Sequence, residues 1–78
     1  MHMEQLLEIL EDIDPAVDYR TETDLVGDGI LNSLSIMTLV VEIRDAFDVD
    51  ITPQDILPEN FRSAQAIYAL IRRRQSEE

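Results

Sequence analysis

Residues 27–34, GDGILNSL, bring one serine, Ser33, out of a glycine-bearing loop to the start of an amphipathic stretch. Asn32 is a residue type that caps helix N-termini through its side-chain oxygen. That cap sets the Ser33 hydroxyl at the mouth of a helix, beside apolar residues. A serine acts as a nucleophile within its own protein only when a neighbouring base activates it. The chain has no lysine, and its one histidine, His2, lies at the N-terminal end. The 17 acidic residues are scattered without forming a recognisable acid–base pair in a pocket. Ser33 therefore reads as a point to which another enzyme attaches something, with no catalytic residue assigned. Ser35, two residues on, is the competing hydroxyl.

A calcium loop is the second chemistry the spacing allows. Asp48, Asp50, Thr52 and Glu59 stand at positions 1, 3, 5 and 12 of an EF-hand pattern. Position 6, which should be glycine for the sharp turn, is Pro53, and no second loop pairs with it. The stretch reads as a solvated acidic turn followed by a helix cap, and no metal site is assigned.

Composition narrows the remaining classes. Seventy-eight residues suit one small soluble domain, 1–78, without room for a deep cleft. The net charge is −11, and all six basic residues are arginines. Such a surface repels a phosphate backbone, because nucleic-acid affinity comes largely from Lys and Arg. It attracts basic protein partners. The chain has no cysteine, so any thiol chemistry must be imported. No apolar run approaches the ~20 residues of a membrane span, and residues 1–4 do not open a signal peptide. The expectation is a cytoplasmic monomer.

Four helices must position Ser33. Met3, Leu6, Leu7, Leu10 and Ile13 recur at helical spacing, and Pro15 stops that helix near Asp14. A long connection follows to Asn32. Val17, Tyr19, Leu25, Val26, Ile30 and Leu31 pin it to the core, and Gly27 and Gly29 give the reversal before Asn32. The second helix spans about 33–47. Thr52 caps a short third helix, with Pro53 at its first position, Asp55 in a capping-box-like pair and Pro58 at its end. Ser63 caps the last helix, whose inward residues are Ala64, Ile67, Leu70 and Ile71, and whose closing arginines (Arg72, Arg73, Arg74) meet the C-terminal dipole. The expected fold is all-α, a four-helix bundle with a long first loop and a short third helix.

The second helix carries more apolar surface than a core requires. At about 100° per residue, Ile36, Leu39, Val40, Ile43 and Phe47 form a complete inward face. Leu34, Met37 and Val41 form a separate stripe about 100–160° round from it. One reading packs this stripe on the long loop or the short helix. The other makes it a docking surface for partner enzymes, with Met37 adaptable and charged residues such as Arg44, Asp45 and Asp48 at its rim.

The run LVGDGILNSLSIMTLVVEIRDAFDVD, residues 25–50, resembles the prosthetic-group region of acyl carrier proteins and related phosphopantetheine-binding carrier domains. The likeness continues through ITPQDI and ENFRSAQAIYALI over most of the chain, and GILNSL also resembles D-alanyl carriers and discrete carriers of specialised pathways. The resemblance implies a 4′-phosphopantetheine arm, derived from coenzyme A and attached to Ser33 within an Asp-Ser-Leu-type motif, here Asn32, Ser33 and Leu34. It implies a non-enzymatic carrier of acyl or aminoacyl thioesters for fatty-acid, polyketide, nonribosomal-peptide or D-alanyl pathways. The implied partners are a holo-carrier-protein synthase (a phosphopantetheinyl transferase), a loading ligase and transferases, docking on Leu34, Met37, Val41, Glu42 and Asp45. The family's aspartate before the serine is Asn32 here, which caps as well but offers the synthase no charge. Positions that are acidic in fatty-acid carriers read Thr38 and Arg44, pointing away from the housekeeping fatty-acid synthase. The rival reading is a bare helical interaction domain without a prosthetic group.

Overall fold

The computed structural model describes residues 3–76, so His2 lies outside the described residues. Helix α1, Met3–Ile13, puts Leu6, Leu7, Ile9 and Leu10 into the core. Met3 and Ile13, expected inside, are only half-buried at its ends, whereas Ile9 is buried. Pro15 disfavours helical backbone at Asp14, whose N–H closes the last turn on the Leu10 carbonyl at 3.0 Å. Helices α2, Ser33–Phe47, and α3, Ala64–Ser76, complete the frame, with α1 packed on both.

The connection between α1 and α2 is held by its own side chains, as expected for a long loop in so small a fold. Tyr19, Leu25 and Leu31 are buried, and Val17, Val26 and Ile30 pack partly on the core. The Tyr19 hydroxyl donates to the Asp14 carbonyl at 2.9 Å. Burial, then the nearby Asp14 and Glu11 carboxylates, push that phenol above its ordinary range. The two glycines act differently from one another. Gly29 has φ +78°, a conformation glycine adopts without penalty. At Gly27 a Cβ would meet the Asp24 carboxylate, which accepts the Gly27 N–H at 3.0 Å and would have to turn aside.

The expected short third helix is instead two separate 3₁₀ turns, Pro53–Asp55 and Pro58–Asn60. Three α-helices, not four, are therefore found among the described residues. Pro58 explains the break, because a residue before proline is pushed to extended backbone, and Leu57 sits at φ −118°, ψ 146°. Only one tight turn fits between Pro53 and that point. Asp55 holds it: its Oδ2 accepts from the Thr52 backbone N–H at 3.0 Å and from the Thr52 hydroxyl at 3.1 Å. Ser63 caps α3 as expected, accepting the Ala66 N–H at 3.0 Å, and Ala64, Ile67, Leu70 and Ile71 are buried.

Arg74 does not simply meet the helix dipole. It forms a two-pronged ion pair with Asp55, Nε to Oδ2 at 3.0 Å and Nη2 to Oδ1, joining the end of α3 to the 3₁₀ segment. Asp55 is buried, and the Arg74 hydrogen bonds hold its carboxyl below the ordinary value of 3.8. A carboxyl whose pKa is lowered by folding adds stability above its unfolded pKa and loses it as pH falls through the folded one. Arg74→Ala is expected to cost about 1.5–3 kcal/mol at neutral pH, the range for hydrogen bonds to charged groups. The deficit should narrow below pH ~4, where Asp55 protonates in the unfolded chain. Urea melts of both proteins at pH 7 and pH 3 check this; an equal difference at the two pH values contradicts it.

Candidate functional site

Leu25 fixes the approach to the site. Its N–H donates to the Arg62 carbonyl at 2.7 Å, and its carbonyl accepts from the N–H groups of Ile30 and Leu31, each at 3.0 Å. Leu31 is buried, and from Asn32 onward the chain emerges to the surface. Asn32 is extended (φ −115°, ψ −177°), and its Oδ1 accepts the Ser35 N–H at 2.9 Å. This is the expected cap.

Ser33 is the first residue of α2 and is exposed, and no hydrogen bond among the described residues engages its hydroxyl. Ser35 is half-buried and lines a groove against α1. The first turn of α2 contains no acidic residue. The partial positive charge of the unsatisfied N–H groups is therefore not offset there, which favours a phosphate-type anion beside Ser33. A neutral asparagine cap preserves that field. Upstream in the loop, a hydrogen bond between the Glu22 and Asp28 carboxyls raises Glu22 above its ordinary range.

The apolar stripe of α2 is bare. Leu34 is 78% exposed, Met37 55% and Val41 47%, so neither the loop nor the 3₁₀ turns cover it. Glu42 and Asp45 are exposed beside it, and Thr38 donates to the Leu34 carbonyl at 3.2 Å. On the inward side Leu39, Ile43 and Phe47 are buried, with Ile36 and Val40 half-buried. The residues named from the sequence, Asn32, Ser33, Leu34, Met37, Val41, Glu42 and Asp45, thus share the exposed part of one helix.

Two of the EF-hand positions take part in turns of the backbone. Asp48 ends α2 in left-handed conformation (φ 56°), with its N–H on the Arg44 carbonyl at 3.0 Å, and Thr52 is bonded to Asp55. Sequence reasoning missed two features here. One is a groove of 360 Å³ between α1 and α2, lined by Ile9, Ile13, Leu34 and their polar neighbours. Its one sequence signal is Ile9, an apolar residue outside the main stripe of α1. The other is Leu57, 44% exposed, which the proline on its C-terminal side holds out of any helix.

A family model described as "Phosphopantetheine attachment site" matches residues 4–71. The chain is similar to the D-alanyl carrier protein of Lactococcus lactis subsp. lactis (strain IL1403), at 30% identity over 76 residues. It is also similar to the D-alanyl carrier protein of Lactococcus lactis subsp. cremoris (strain MG1363), at 32% identity over 76 residues. Each match covers 95% of this chain and 96% of the relative.

The exposures predict two classes of variant on one helix. Met37→Glu and Val41→Glu should shift stability by no more than about ±0.5 kcal/mol, as surface changes do. Leu39→Ala and Ile43→Ala should cost about 2–5 kcal/mol, because each empties part of the core. Denaturant melts of the four variants separate the classes; equal losses would place the stripe in the core.

Proposed function

The chain belongs to the phosphopantetheine attachment site family, and from that premise we propose that Ser33 is its attachment residue and an aminoacyl group, D-alanine first, its cargo. The protein is an acyl or aminoacyl carrier with a covalent 4′-phosphopantetheine. When bound, that group supplies the terminal thiol on which thioesters form, and which this cysteine-free chain lacks. The reading of Ser33 rests on one observation above all. It is the exposed hydroxyl at the N-terminus of α2, held there by the Asn32 cap and unengaged by other described residues.

Ser33 offers its Oγ for the phosphodiester, and Asn32 fixes its position without adding negative charge. Leu34, Met37 and Val41 present an apolar surface along the same side of α2, and Glu42 and Asp45 give it an acidic rim. A holo-carrier-protein synthase, an aminoacyl-loading ligase and an acceptor transferase would each approach Ser33 across that surface. Basic patches on those partners would be steered by it. The D-alanyl cargo is supported by the names of the relatives, together with Thr38 and Arg44, which make this surface less acidic than that of fatty-acid carriers. The carrier family disfavours a bare interaction domain.

Incubation with coenzyme A, magnesium and a promiscuous phosphopantetheinyl transferase should add the mass of one phosphopantetheine. Ser33→Ala should stay folded and gain none. Label on Ser35, or equal labelling of Ser33→Ala, would sink the assignment. Asn32→Asp should speed the modification by restoring a charge to the synthase while keeping the cap. An unchanged rate would make the asparagine neutral for attachment.

A further inference from the structure

Arg62 has a side chain that the fold does not use. Arg20 faces Glu4, Arg72 lies over the Tyr68 ring, and Arg73 and Arg74 reach Asn60 and Asp55. Arg44 stands in the last turn of α2, at the other end of the helix from Ser33. Arg62 is exposed, and its guanidinium enters no ion pair, side-chain hydrogen bond or ring contact among the described residues. Nor does it serve its own helix. It precedes the Ser63 cap of α3, and a cation beside a helix N-terminus meets the positive pole.

Its backbone, by contrast, is fixed beside the loop that delivers Ser33. Phe61 is fully buried and Ser63 is buried, so the root of the Arg62 side chain is clamped between two seated residues. The Arg62 carbonyl accepts the Leu25 N–H at 2.7 Å, and the Leu25 carbonyl accepts the Leu31 N–H at 3.0 Å. Two hydrogen bonds thus lead from Arg62 to Leu31. The two residues from Leu31 to Ser33 span at most about 7 Å. A long cationic side chain is therefore rooted close to whatever Ser33 bears. The carboxylates of the loop have other partners: Asp24 accepts the Gly27 N–H at 3.0 Å, and Asp28 shares a hydrogen bond with Glu22.

We infer that the Arg62 guanidinium holds the phosphodiester through which the prosthetic arm joins Ser33. The inference rests on the attachment reading of Ser33 and adds the residue that orients the arm. A phosphodiester carries one negative charge and two free oxygens, which the planar fork of arginine matches with parallel N–H···O bonds. The first turn of α2 brings no carboxylate to compete with that anion. An exposed ion pair is weak by itself. Here the phosphate would be tethered beside the cation, so its effective concentration reaches the millimolar range and a weak pair suffices. Arg62 is thus a positioning residue. It steadies the first atoms of the arm and leaves the thiol end free to swing.

The test compares apo and holo protein, with intact mass first verifying one phosphopantetheine on Ser33. Phosphorus NMR then reads the phosphodiester, and a nitrogen-edited proton spectrum reads the arginine Nε–H groups. On attachment the Arg62 Nε–H should shift, while that of Arg44 stays in place. Arg62→Gln should remove at least half of the difference in phosphorus shift between folded and urea-unfolded holo protein. Arg62→Lys should keep part of that difference, and Arg44→Gln all of it. Salt at about 0.5 M should move the wild-type shift toward that of Arg62→Gln. The melting temperature of Arg62→Gln should not fall, since no contact of the fold is lost. An unchanged phosphorus shift in Arg62→Gln overturns the inference and leaves attachment at Ser33 standing. So does a change accompanied by displaced amide signals at Leu25 and Leu31, which would mean that Arg62 acts on the loop. Absence of the arm from Ser33 overturns both.

Discussion

Ser33, the residue proposed for attachment, must stand in the open while the residues just before it stay in the core, and here Leu25 makes that possible. Its side chain is fully buried, its N–H is bonded to Arg62, and its carbonyl is shared by Ile30 and Leu31. Arg62 directly precedes Ser63, the cap of α3. One residue therefore ties the end of the long loop to the beginning of α3 and satisfies backbone groups that burial would otherwise leave unpaired. Everything downstream inherits this anchor. Leu31 is packed inside, Asn32 turns outward to cap α2, and Ser33 follows at the surface on a helix whose opposite face is fixed by Leu39, Ile43 and Phe47. The exposure of Ser33 is thus a consequence of how deeply Leu25 and Leu31 are buried.

Rigidity at that point explains why α2 can afford a bare apolar stripe. A helix with apolar residues on two sides could rotate to bury either set. The cap at Asn32 and the left-handed turn at Asp48 limit that freedom at the two ends. Just beyond, Val49 is buried and anchors the exit of the helix. The stripe of Leu34, Met37 and Val41 then stays outside because the other face is already seated. Small domains seldom expose contiguous apolar side chains without using them in binding.

Much of this was legible in the sequence because it is written in local grammar. Asn32 before Ser33, Ser63 three residues before the Ala66 N–H it accepts, and the 100° spacing of both α2 faces are all relations within one element. What escaped depends on relations between elements. Asp55 and Arg74 lie 19 residues apart, and nothing in their spacing predicts that one carboxylate would serve both the Thr52 turn and the end of α3. Phe61 is fully buried between Pro58 and Ser63, where the pattern shows no periodic element to assign it to a face. The groove could not be read at all, since Asp12 and Glu42 become neighbours only when α1 packs on α2. The short third helix failed for a local reason: its cap signals at Thr52 and Pro53 were sound, but Pro58 leaves space for a single turn.

The arginines give the fold its charge asymmetry. With a net charge of −11, their placement decides which surfaces stay acidic. Three of the six are consecutive near the end of α3, and each has a partner there. Arg74 pairs with Asp55, Arg73 reaches the Asn60 side chain at 3.5 Å, and Arg72 lies 6.0 Å from the centre of the Tyr68 ring. Arg20 faces Glu4 at 4.0 Å. In α2 the only basic residue, Arg44, lies in the last turn, at the opposite end from Ser33. The carboxylates of Asp12, Glu42 and Asp45 have no cationic partner among the described residues. The same contacts that steady α3 therefore engage three of the six arginines, while the exposed face of α2 keeps an acidic rim of Glu42 and Asp45.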